Sequence, residues 1–284
     1  MKYQQIRKFS YKTEKKVLES RHHNFDMNNW FKSPYTCLKI RFYIEFSSLF
    51  VYLIQNSKIK PNHISYIYAL AGLLGGVFIS INSNNFIIAG IFIIFFKVAI
   101  DGADGLLARV KYKPSNFGSA IDSWGGLVGE YSFIVGFGFY IFNMTQNQNY
   151  IYLTFVIVLL KALDLKNYVL YYIGTIKSQK ISLTNEKSQK TNISQKKTRG
   201  IGKLFNFFKN IVKNGFNYQA KTVDTILLII LIEINYQQIF ISQYFFYLFL
   251  IRGIIIFFGD IFLAQKENFL MNVAKNKIKY KNNN

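Results

Sequence analysis

The chain predicts an all-α integral membrane protein with six transmembrane helices, preceded by an amphipathic helix lying on the membrane surface. Three observations point there. Of its 284 residues 51% are hydrophobic, and the mean hydropathy is positive at +0.14. Six apolar stretches approach the roughly 20 residues that a bilayer core requires of a helix. The basic residues fall in alternate connections between those stretches, as the positive-inside pattern demands.

The same composition excludes other classes. The formal charge is +21, from 35 Lys+Arg against 14 Asp+Glu. Basic nucleic-acid binders are rarely so apolar, and a disordered basic chain would not be 18% aromatic. Nucleic acid is therefore not expected as a partner. The one cysteine, Cys37, cannot build an internal disulfide, and His22, His23 and His63 have no zinc-ligand spacing.

Residues 1–32 read as a mobile basic tail on the cytoplasmic side, without the apolar core of a secretory signal. Residues 33–60 hold the interfacial helix. Their cleanest apolar run, 42–54, is interrupted by Glu45, Ser47 and Ser48 and is short for a span. Four spans follow within 61–174, at about 64–81, 86–110, 117–142 and 150–165. Residues 175–222 form a basic linker whose first half is polar and repetitive, with a short amphipathic helix expected at 204–212. Spans at about 223–239 and 240–262 lie within 223–265, and 266–284 is a second basic tail.

Charge fixes the orientation. Lys and Arg number 12 in residues 1–62, 11 in 175–222 and five after 265. Arg109, Lys111 and Lys113 mark the connection after the second span, while the three intervening connections carry none. Both termini are thus expected in the cytoplasm, with the basic segments against anionic lipid.

The chemistry lies in the few acids. Asp101, Asp104 and Asp122 fall within 22 residues, in or beside apolar helices where a carboxylate is costly. Asp101, Asp104, Gly105, Ala108 and Arg109 share one helical stripe, and Gly118, Asp122 and Gly126 share another. A short connector containing Pro114 predicts an antiparallel pair of helices that gathers the three carboxylates at its cytoplasmic mouth. Gly105, Ala108 and Gly118 leave space beside them. Hard oxygen ligands with room for substrate oxygens suit Mg²⁺ or Mn²⁺ bound to a diphosphate.

The run Asp101-x-x-Asp104-Gly105-x-x-Ala108-Arg109, eight residues, then Gly118-x-x-x-Asp122 resembles the signature of the CDP-alcohol phosphatidyltransferase family, at seven of its eight fixed positions. Lys60-Pro61-Asn62-His63-Ile64-Ser65 looks like the segment that opens that family's first span. The resemblance implies transfer of a substituted phosphoryl group from a CDP-alcohol to an acceptor hydroxyl, with release of CMP. It implies two divalent metals on Asp101, Asp104 and Asp122, and a nucleotide pocket of Gly105, Ala108, Arg109 and Gly118, with Asn62 touching it. A homodimer is implied by resemblance alone.

One position departs. The family pattern carries a fourth Asp where this chain has Gly126. In the family that carboxylate adds to the metal site or takes the proton of the acceptor hydroxyl. Three readings stand: Glu130, one turn further along the stripe, substitutes as base; water or substrate phosphate takes the proton; or the chain is an impaired member that binds CDP and metal as a scaffold. A membrane prenyltransferase is a weaker rival, because no second Asp-rich cluster exists. Glu233 and Arg252 are expected to form an ion pair between the last two spans, and Gly125-x-x-x-Gly129 is read as a helix-packing motif.

Overall fold

The computed structural model of the chain describes residues 1–21, 34–112, 115–163, 220–236 and 241–264. The expected helix at 204–212 and the tail at 266–284 lie outside these. So does the 175–222 linker, apart from its last three residues. Among the described residues there are eight helices and no strand. They are α1 (Tyr3–Arg21), α2 (Pro34–Ile54), α3 (Pro61–Ser80), α4 (Asn84–Val110), α5 (Asn116–Thr145), α6 (Asn149–Ala162), α7 (Ala220–Asn235) and α8 (Ile241–Ala264).

Among the described residues each of the six stretches expected as a span falls on a helix, and four helices are long and apolar enough to cross a bilayer: Pro61–Ser80, Asn84–Val110, Phe117–Thr145 and Ile241–Gly259. Over their described residues helices α6 and α7 have 14 and 16 residues, against the roughly 20 of a full crossing. The outward surface is apolar in the manner of a lipid-facing helix. Along α3, Ile67, Leu70, Leu74 and Val77 are all exposed.

The chain divides into two compact units, Met1–Ile151 and Tyr152–Asn284. In the first, α3 is the central helix and packs closely on both α4 and α5. Its glycines make that approach possible. A Cβ on Gly75 would stand 2.5 Å from Ile94 Cγ1, and one on Gly76 would fall on the Ser132 backbone. Gly136 of α5 meets the Gly76 carbonyl in the same way. Without a hydrophobic driving force inside lipid, such small-residue contacts are what hold helices together. Helices α4 and α5, expected as a pair, each pack chiefly on α3.

Local signals set the helix ends. Pro61 opens α3, where its missing N–H costs nothing. The Ser115 hydroxyl caps α5 by accepting from the Gly118 amide at 2.9 Å. Gln146 ends α5 in the left-handed region, at φ 55, with its amide on the Phe142 carbonyl at 2.7 Å.

The N-terminal residues differ from the mobile tail expected of them. They form α1, which packs on α2. Ile6 is fully buried with Val51, Ile64, Ala103, Leu106 and Leu107, so one apolar residue of α1 reaches the core of the unit. Polar contacts hold the rest. Glu45 of α2 accepts from Arg7 Nε at 2.7 and 2.8 Å, from the Tyr3 hydroxyl at 2.9 Å and from the Tyr11 hydroxyl at 2.8 Å. Helix α2 itself packs along α4, where the Ser47 hydroxyl donates to the Ala99 carbonyl at 2.8 Å.

In the second unit α7 packs on α8. Glu233, expected to pair with Arg252, is 1% exposed and accepts a hydrogen bond from the Ser242 backbone amide at 2.7 Å. It thereby satisfies one of the free amides in the first turn of α8.

Candidate functional site

The motif stripe occupies the last three turns of α4 and the first turns of α5, and α3 lies against both. Asp104 is buried, at 7% exposure. Its carboxylate accepts from the Ser65 hydroxyl of α3 and from the Gly105 amide of its own helix. Asp101 stands beside the Asp122 carboxylate and the Tyr68 hydroxyl of α3, and Asp122 also faces Asp104. The three carboxylates predicted from spacing are thus brought together, with α3 supplying the donors.

The residues expected to line a nucleotide pocket border this cluster. Arg109 donates through Nε to the Gly105 carbonyl at 2.9 Å, which folds its guanidinium back along the stripe. It also lies 3.9 Å from Glu14 of α1. A Cβ on Gly105 would meet that guanidinium at 3.4 Å. Gly118 sits beside Asn62, whose Oδ1 would be 3.3 Å from a Cβ at that glycine. Gly118 and Asn62, 56 positions apart in the chain, therefore share one edge of the site. Ala108 is half-buried on the same stripe.

Gly126 faces the Tyr68 hydroxyl, and among the described residues a Cβ there would meet that oxygen alone, at 3.6 Å. The space that the family's fourth carboxylate would use is thus bordered by a phenol. Glu130 lies within electrostatic range of Lys97.

Three residues of the site were not singled out from sequence: Ser65, Tyr68 and Lys97. Lys97 precedes Asp101 by four positions and so shares its stripe. A cation inside an apolar helix was the signal that could have found it. Ser65 and Tyr68 belong to α3, and only the packing of α3 brings them to the carboxylates.

Carboxylate oxygens are the ligand type that hard divalent ions prefer, and in that chemistry the cluster fits Mg²⁺ or Mn²⁺. Among the described residues, no three carboxylate, imidazole or thiol groups are drawn close enough to enclose an ion.

Comparison with curated proteins and with solved structures gave no match. Residues 58–195 match the family model described as CDP-alcohol phosphatidyltransferase. That stretch contains α3, α4 and α5, the three aspartates and the donors that α3 brings to them. Over residues 58–195 the chain is therefore similar to the CDP-alcohol phosphatidyltransferase family.

Proposed function

We propose that the protein transfers a substituted phosphoryl group, such as phosphatidyl, from a CDP-alcohol to an acceptor hydroxyl in phospholipid or related biosynthesis. The observation that carries this reading is the meeting of Asp101, Asp104 and Asp122 beside Arg109, within a domain of that family. The acceptor oxygen forms a bond to the phosphorus distal to cytidine. The bond from that phosphorus to the bridging oxygen breaks, and CMP leaves with the electron pair. The acceptor's proton passes to a base, for which Glu130 is the nearest carboxylate further along α5. Divalent metal bound by Asp101, Asp104 and Asp122 would neutralise the diphosphate and the charge that develops on departing CMP.

The chain's own residues do the rest. Arg109 offers a guanidinium to a phosphate oxygen. Gly105, Ala108 and Gly118 leave a flat surface for the nucleotide, and Asn62 offers an amide at its edge. Ser65 fixes the rotamer of Asp104. In this reading the chain makes six membrane crossings, with both termini and the site on the cytoplasmic side. Helix α2 lies at the interface, and the basic segments rest on anionic lipid. The protein works as a homodimer.

The test is direct. Purified full-length protein in Mg²⁺ or Mn²⁺, given labelled CDP-diacylglycerol and a pool of polar alcohols, is expected to release CMP and form a lipid identifiable by mass spectrometry. A second reading is favoured by the position of Gly126 and by the tethering of Asp104 to Ser65 and Gly105: the chain binds CDP and metal as a scaffold without turnover. Saturable CDP binding with no CMP release, across a panel of donors and acceptors, would establish it. Metal-dependent release with any donor rules it out.

A further inference from the structure

Lys97 is buried at 9% exposure on α4, and its side chain crosses toward the carboxylates through a slot between two glycines. A Cβ on Gly72 of α3 would stand 2.7 Å from Lys97 Cε, and a Cβ on Gly129 of α5 would fall on the ammonium nitrogen. Both flanking helices therefore lack a side chain where the lysine passes. The ammonium ends 3.9 Å from the centre of the Tyr68 ring, a cation–π contact, on the residue that also borders Asp101 and Gly126. Asp101, Asp122 and Glu130 lie within its electrostatic range.

A buried ammonium in apolar helices is costly unless anions surround it. Here the glycine slot fixes that ammonium among Asp101, Asp122 and Glu130, in the place beside the carboxylates that a second cation would need.

We propose that Lys97 is a positioning residue of this site, a resident cation that limits the carboxylate cluster to one divalent ion. The inference rests on the transferase reading above, which makes the cluster a metal site. It deepens that reading by replacing the two ions the family resemblance implies with one ion and one lysine. Gly126 fits the same account, because a site that holds a fixed ammonium needs one carboxylate fewer.

Mn²⁺ binding tests this, read by paramagnetic resonance and by the amount of metal retained by purified full-length protein in detergent. Wild type is expected to bind one Mn²⁺ per chain, with no spectral coupling between ions. Lys97→Met, an apolar side chain of similar length, is expected to tighten that binding at least about tenfold, since it removes a like charge beside the ion. Lys97→Met with Gly126→Asp is expected to bind two ions with coupled spectra. Should the methionine variants fail to fold, Gly129→Ala tests the same point with Lys97 retained, because the added methyl displaces the ammonium. It too should tighten Mn²⁺ binding, whereas Lys97→Arg should keep one ion per chain. A merely structural lysine would lower the melting temperature on substitution and leave Mn²⁺ affinity unchanged. That result, or two ions in wild type, overturns the role of Lys97 and leaves the transferase reading standing. No Mn²⁺ binding by any variant overturns both.

Discussion

Two groups of carboxylates in the first unit meet opposite circumstances. Glu45, where α1 docks on α2, is surrounded by donors: both its oxygens take hydrogen bonds from Arg7, and Tyr3 and Tyr11 complete the set. Asp101, Asp104 and Asp122 crowd one another inside apolar helices, and Asp101 and Asp122 face the buried ammonium of Lys97. A carboxylate satisfied by its own chain joins two helices. Carboxylates crowded together against few cations favour a cation from outside, and on the proposed function that cation is the metal of the transfer reaction.

The contrast can be broken at its functional end first. Asp104→Ala should lower CMP release by at least about a hundredfold, in the range seen when one preorganised charge-stabilising group is lost. Its thermal unfolding in detergent should change little by comparison. A variant that is destabilised while retaining turnover would move Asp104 to the structural side. Next comes the packing that brings the clusters into register. Gly76→Val should cost roughly 1–3 kcal/mol or more, since its Cβ would fall on the backbone of Ser132. The measurement is melting temperature together with the yield of folded protein.

Glu233 sharpens the comparison from the second unit, as a buried carboxylate that accepts from a helix-end amide. Glu233→Ala should cost about 1–3 kcal/mol, because the Ser242 amide loses its acceptor. CMP release per folded molecule should be unchanged.

The smallest effect is expected at Glu45. Its donors, Arg7 first, hold its pKa down at about 2, against an ordinary value of 4.5. A lowered folded value means that the contact stabilises above about pH 4.5 and that this contribution is lost as the pH falls toward 2. The side chain is 37% exposed, so solvent screening keeps the effect small. Glu45→Gln should lower the melting temperature slightly at neutral pH and flatten its decline between those limits. A decline as steep as in wild type would assign the acid sensitivity to other carboxylates.

Part of this was legible in the residues alone. Helical character, the apolar stretches and the three aspartates follow from local spacing, because 3.6 residues per turn puts Asp101 and Asp104 on one face whatever surrounds them. The docking of α1 was not legible. Among its described side chains the one in the core cluster is Ile6, and polar contacts with Glu45 that span 34 to 42 positions of sequence add to it. One contact of Glu233 was hidden for a similar reason. Its acceptor role toward the Ser242 amide, at the start of α8, is one that no spacing rule exposes.

By itself, then, the sequence determined that this is a helical, apolar chain whose few aspartates form one motif, because hydropathy and helical period act over a turn or a span. Tertiary structure alone decided what stands opposite those aspartates. Ser65 and Tyr68 arrive on α3, and Lys97 reaches the site only because Gly72 and Gly129, on two other helices, leave it a passage. The physical reason is range. Steric room and Coulomb interaction depend on distances between helices, and those distances are set by which small residues face each other across a packed interface.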